Sequence, residues 1–262
     1  MNYQDIDFNE LYKKQKQAST FKLKDRQAWN KKAPSMNKKI HKSIYNDELL
    51  SHINFDECSS FLDVGCGVGN ISIKAAQKVK QVYALDYSDV MLELLNENMQ
   101  KQSVQNISPI QASWEDDWKD IPEADIVLAS RSMEVVDMKD ALTKINAKAK
   151  KRVYITYKVG GSFVDKKILK VLNKQIFDKP DYIYVLNILY GMGINPTLTY
   201  LKSEGRREQY DSKENFIKSV QWSLDTLTSQ EIEKLEDYYD GLDDEDAQAE
   251  QYNYWALIAW EK

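Results

Sequence analysis

The chain has 262 residues, a formal net charge of −5, 42% apolar and 29% charged residues. That composition suits a folded domain with a packed core, and no apolar run approaches the roughly 20 residues a membrane span requires. Two histidines outside any metal-ligand spacing, with Cys58 and Cys66 as the only cysteines, argue against zinc chemistry and a Ser-His-Asp triad. An extended strand between the two cysteines would hold them beyond disulfide reach. The start, Met1-Asn2-Tyr3-Gln4-Asp5, is polar and acidic, so no signal peptide and a cytoplasmic location are expected.

Residues 1–55 read as helical and largely exposed, with apolar or aromatic side chains at Phe8, Leu11, Tyr12, Phe21, Trp29, Ile40, Ile44, Tyr45, Leu49 and Leu50. Pro34 interrupts that pattern and is expected to separate at least two helices. From Lys13 to Lys42 every charge is basic except Asp25, whereas from Glu231 to Glu250 every charge is acidic except Lys234. Two solvated faces attracting one another across the fold are one reading of this. A basic arm for an anionic substrate, RNA or membrane headgroups is the other. The negative total argues against nucleic acid as the main partner.

Residues 61–70, Phe-Leu-Asp-Val-Gly-Cys-Gly-Val-Gly-Asn, read as a buried strand, a glycine-rich turn and a helix starting at Asn70 or Ile71. Glycine tolerates positive φ and leaves room for a ligand against the main chain, and a helix N-terminus offers N–H groups to an anion. Gly65, Gly67 and Gly69 depart from G-x-G-x-x-G by one residue at the third glycine. Asp63, just ahead of them, would repel a pyrophosphate and attract an ammonium or sulfonium group. That charge logic selects S-adenosylmethionine over a dinucleotide. Cys66 is a small turn residue in this reading.

A second strand over 82–85 ends at Asp86, placed to reach two ribose hydroxyls. Ser88 then caps a helix carrying Val90, Met91, Leu94, Leu95 and Met99 on one face. Residues 63–69, together with Asp86-Tyr87-Ser88-Asp89-Val90-Met91, resemble the first two motifs of class I S-adenosylmethionine-dependent methyltransferases. The resemblance implies a seven-stranded Rossmann-like sheet, mostly parallel with an antiparallel last strand and helices on both faces. It implies a cofactor site at Asp63, Gly65, Cys66, Gly67, Gly69, Asp86, Tyr87 and Met91. It also implies an N-terminal helical cap over 1–55, in which Trp29 is either a wall of the cofactor pocket or an aromatic tucked against the domain.

A third strand over 107–112 ends at Ser113, Trp114 and Glu115, candidates for the adenine end of the cofactor. The family often has an acidic residue where this chain has Ser113. Trp114 is either a cover for the base or a core residue plugging the sheet. A fourth strand over 125–130 runs into Ser130, Arg131, Ser132 and Glu134, and Asp137 caps the next helix. Ser130 is a further cofactor candidate, and Arg131, Ser132 and Tyr157 are substrate candidates. Arg131 suits an anionic acceptor or the cofactor carboxylate, and its bland alternative is a surface pair with Glu134. The fifth strand covers 153–157. Glu134, Tyr157 and Lys158 are the possible bases, none of them singled out.

The cofactor core is expected over 56–201, with inserted helices at 212–221 and 228–240 and an apolar strand at 254–260 completing the sheet over 202–262. The function expected is methyl transfer to a small molecule. Alternatives are an RNA or protein acceptor, an NAD-type oxidoreductase, or a protein that holds the cofactor without transfer. No metal is implied.

Overall fold

A computed structural model describes residues 2–38, 43–161, 164–204, 212–242 and 252–262. Seven strands, β1 (Ser60–Val64), β2 (Gln81–Asp86), β3 (Ile107–Gln111), β4 (Ala124–Ser130), β5 (Ala149–Lys158), β6 (Thr197–Ser203) and β7 (Asn253–Glu261), form one sheet in the order β3-β2-β1-β4-β5-β7-β6. The first five pair in parallel, and β7 runs antiparallel to both β5 and β6. The order reverses between β1 and β4. That switch point opens a crevice beyond the strands' carboxyl ends, where ligands of such sheets bind.

The central strands β1, β2, β4 and β5 are covered on both faces and read as nearly continuous apolar runs, whereas the edge strands β3 and β6 are largely exposed. Alternation along β1 sends Leu62 and Val64 to one core and Phe61 to the other. The first core is closed by α1 (Phe8–Ala18), α6 (Met138–Lys148) and α8 (Tyr182–Gly191), through Tyr12, Leu142 and Leu189. The second is closed by α2 (Arg26–Asn37), α3 (Ile44–His52), α4 (Ser72–Ala75) and α5 (Asp89–Lys101), through Ala33, Leu49, Ile73 and Leu95. A third cluster joins Phe21 to α7 (Lys166–Val171), α9 (Lys213–Leu224) and α10 (Ser229–Asp240), around the buried Phe216 and Leu235. No helix among the described residues is long and apolar enough to cross a membrane.

Three expectations are corrected. Pro34 lies inside α2 and does not divide it. Proline forfeits one helical hydrogen bond, but Ala33 is fully buried and Asn30 is held by Ser88 and Asp89, so tertiary contacts carry the helix through. The helix after the glycine turn spans only Ser72–Ala75, because Lys80 and Gln81 must return at once to donate to the Ser59 carbonyl ahead of β2. The N-terminal segment is not largely exposed: Tyr12, Phe21, Tyr45 and Leu49 are buried. Ile40 lies outside the described residues, as does the acidic run from Asp243 to Glu250.

Gly69 shows how tightly the turn is packed. Its φ is 93°, and an added Cβ would sit 2.4 Å from Leu95 Cδ1. Gly69→Ala is therefore expected to cost about 2 kcal/mol or more, from backbone strain plus overpacking. Denaturant unfolding checks this, and an unchanged midpoint would contradict the packing argument.

Candidate functional site

The glycine loop is fastened to the end of β2, where the Gly65 and Cys66 N–H groups donate to the Leu85 carbonyl at 2.7 and 2.9 Å. Gly65, at φ 74°, leaves no room for a side chain, since a Cβ would meet that of Ser132 at 2.3 Å. Gly67, at φ 55°, differs: a Cβ there would have only Met91 Sδ nearby, at 3.9 Å, so the main chain borders open space. Beside that space Asp86 accepts from Gly67 N–H and Ser88 N–H, both at 2.9 Å, one on each oxygen. Burial pushes its pKa up while those backbone donors pull against it. A carboxylate fixed in this way keeps lone pairs for two further donors, such as a diol.

Asp63 is 2% exposed and lies beneath the loop, accepting from Ser72 Oγ at 2.5 Å. Its pKa is raised to about 7, by burial first and by the Asp86 charge in addition. It therefore acts on the loop's surroundings as a field and not as a contact. Cys66 is buried and its thiol is pushed up by burial, which removes it as a nucleophile at neutral pH.

Trp114 bridges the ends of β3 and β4, donating from Nε1 to the Ser132 carbonyl at 3.0 Å while stacking on Trp118 at 5.0 Å. Ser113 N–H donates to Asp116, and Glu115 is exposed. Ser132 Oγ donates to the Val64 carbonyl at 2.6 Å, which ties the segment after β4 to the end of β1. Tyr87 donates to the Lys24 carbonyl at 3.2 Å, and Trp29 meets Trp222 of α9 edge-on at 5.4 Å. Asp63, Cys66, the three glycines, Asp86, Tyr87, Met91 and Ser132 thus cluster at the carboxyl ends of β1, β2 and β4, with Asp63, Cys66 and Met91 buried behind the loop. Tyr157 does not join them: its ring belongs to the opposite core beside Tyr12, and its hydroxyl makes no well-formed hydrogen bond. Burial and the neighbouring Tyr12 push its pKa well up, so it is a poor base.

The expected pairing of Arg131 with Glu134 is not formed. Glu134 accepts from Lys16 at 2.6 Å and Lys179 at 3.1 Å. Burial alone would raise its pKa, but the two ammonium groups hold it below the usual value, so it too is a weak base. Arg131 instead lies over the Tyr45 ring, 3.4 Å from its centroid, and 4.8 Å from that of Trp255. Ser130 Oγ and Thr156 Oγ1 lie 2.8 and 2.7 Å from the Tyr45 hydroxyl. Sequence reasoning missed Tyr45, Trp255 and Lys179 as parts of this region. Each was legible only as core, strand or surface.

A family model described as a methyltransferase domain matches residues 61–152. An uncharacterized protein of Haemophilus influenzae is 37% identical over 99% of this chain and 98% of its own. Among solved structures, coclaurine N-methyltransferase bound to N-methylheliamine and S-adenosylhomocysteine is similar with a TM-score of 0.53 and 14% identity, over 98% of this chain and 86% of that one. A Bacillus halodurans protein assigned as a methyltransferase has a TM-score of 0.56 and 14% identity, over 83% and 98%. The strand order, the reversed last strand and the glycine loop beside Asp86 agree with these matches. Residues 61–152 thus match a methyltransferase domain, and the chain as a whole has the fold of the class I S-adenosylmethionine-dependent methyltransferases.

Proposed function

We propose that the chain transfers the methyl group of S-adenosylmethionine to a small-molecule acceptor lying beyond β4 and β5. The observation that carries this reading is the way the N-terminal segment closes over the crevice. Lys24 receives Tyr87, Asn30 joins Ser88 and Asp89, Tyr12 donates to the Val135 carbonyl, Lys16 pairs with Glu134, and Tyr45 joins Ser130 and Thr156. The loops beyond β2 and β4 and the end of β5 are all tied to it. A cleft roofed in this way suits a metabolite better than a folded RNA or protein surface.

In this reading Asp86 holds the ribose hydroxyls, and the loop from Gly65 to Gly69 cradles the amino-acid end. Tyr87, Met91, Cys66 and Trp29 bound the nucleoside. Ser113, Trp114 and Glu115 stand at the base, and Ser130 and Ser132 at the end nearer β4. When bound, the cofactor supplies a methyl already made electrophilic by its sulfonium. The protein's work is then to orient the acceptor and exclude water. The weak basicity of Glu134 and Tyr157 fits an acceptor that needs little help in losing a proton.

The methyltransferase-domain match over residues 61–152 speaks against the nicotinamide alternative. Four of the nine described cations in the basic N-terminal run, Lys13, Lys16, Lys24 and Arg26, pair with Asp137, Glu134, Asp225 and Asp89, which reduces the charge the run offers to an RNA acceptor. Cations already engaged inside the chain are not free for phosphates. Incubation with methyl-labelled cofactor, a dialysed metabolite extract, total RNA and bulk protein tests the reading. Label is expected in the dialysable fraction, and label in precipitated RNA or protein would overturn it.

A further inference from the structure

Arg131 is the first residue past β4 and adopts φ 56°, a left-handed conformation that a non-glycine residue holds only at a cost. Its N–H is fixed to Thr156 Oγ1 at 2.9 Å. The Tyr45 and Trp255 rings, 5.9 Å apart, meet its guanidinium and hold it in place without neutralising it. Both rings are themselves anchored, Tyr45 as above and Trp255 by donating from Nε1 to Ser203 Oγ at 3.2 Å.

Among the described residues no carboxylate lies within ion-pair distance of this cation. Glu204 is the nearest acidic influence, but its oxygens accept from Ser43 Oγ at 3.1 Å and Ile44 N–H at 2.5 Å. Glu134 is taken by two lysines. The residue is nevertheless open to solvent. A guanidinium held by two rings, with no carboxylate paired to it and part of its surface open, is placed to receive an anion.

Its side of the crevice is informative. Ser132 turns toward Gly65 and the cofactor loop, whereas Arg131 reaches the rings above β5 and β7. We propose that Arg131 is the specificity-determining residue for the acceptor, forming with Tyr45 and Trp255 a receptor for a carboxylate or phosphate carried by the small molecule that is methylated. The planar guanidinium matches either oxyanion with paired N–H donors, and its ring-stacked face leaves the edge to do so. This inference rests on the methyl-transfer reading above.

The test uses the full chain saturated with S-adenosylhomocysteine, titrated separately with benzoate and inorganic phosphate by calorimetry. Arg131→Gln and Arg131→Lys are compared with wild type after circular dichroism confirms their fold. At least one probe should bind wild type, identifying the oxyanion preferred. Its affinity should fall about tenfold or more in R131Q and by a smaller factor in R131K, which keeps the charge but not the fork. Affinity for S-adenosylhomocysteine should stay within about twofold, because the Arg131 side chain packs on Tyr45 and Trp255 while Ser132 is the residue set against Gly65. Equal binding of the probes to wild type and R131Q, or no binding to either, would overturn the proposal. So would a tenfold loss of S-adenosylhomocysteine affinity, which would assign Arg131 to the cofactor carboxylate. Failure of wild type to bind S-adenosylhomocysteine at all would instead strike the methyl-transfer reading beneath it.

Discussion

Asp86→Ala should weaken S-adenosylhomocysteine binding by about a hundredfold or more, the sum of two charge-assisted hydrogen bonds at roughly 1.5–3 kcal/mol each. The carboxylate is not a flexible surface group. Its oxygens are pinned at 2.9 Å by Gly67 N–H and Ser88 N–H, so it faces the space beside Gly67 with little left to lose in ordering. Those same two bonds tie the glycine loop to the start of α5, and alanine would release both elements. Titration calorimetry on the variant, with its unfolding midpoint measured alongside, separates the two consequences. A dissociation constant within about threefold of wild type in a folded variant would remove Asp86 from the cofactor site. Asp86→Asn makes a sharper control, because its amide must present two donors to a backbone N–H that is already donating. It should fail nearly as badly despite equal size.

What the sequence made legible follows from how local the cause is. The parallel strands β1, β2, β4 and β5 announce themselves because both faces are covered and their apolar runs are nearly continuous. Ser88 and Asp137 announce their helices because a cap acts within one turn, and each accepts from the N–H three residues on. The glycine loop was legible because positive φ at Gly65, Gly67 and Gly69 demands a particular residue type. The errors arise where distant segments decide. Pro34 predicts a break from local chemistry alone, and the burial of Ala33 against α5's neighbourhood overrides it. Arg131 and Glu134 look like partners three residues apart, yet Lys16 and Lys179 arrive from other elements to take Glu134. Tyr45 and Trp255 meet over Arg131 across most of the chain's length, and neither carries a local mark of that role. Periodicity predicts elements well and says little about which side chains three different elements will bring to one cation.

Asp63→Asn should flatten the pH dependence of both stability and cofactor affinity. The wild-type carboxyl is buried beneath the loop with its pKa raised from 3.8 to about 7 by burial and by Asp86, against the pull of Ser72. The folded state thus keeps a proton that the unfolded chain has already lost. The stability this group contributes is complete below the unfolded value and disappears as pH rises through the folded one. Over that window the loss is at most about 4 kcal/mol, at roughly 1.4 kcal/mol for each pH unit between the two values. Asparagine is neutral throughout and retains an oxygen for Ser72 Oγ, so ligand-free D63N should gain on wild type as pH rises. Cofactor binding reverses the sign. A sulfonium and an ammonium above the loop favour the ionised carboxylate, so binding expels the proton. Wild-type affinity for S-adenosylmethionine should then tighten between about pH 6 and pH 8, by no more than tenfold per unit, while that of D63N stays level. S-adenosylhomocysteine has lost the sulfonium charge and should tighten less. Parallel slopes for wild type and D63N with both ligands would mean that Asp63 holds the loop's shape alone. The preference for a cationic nucleoside would then have to come from the loop amides and Asp86.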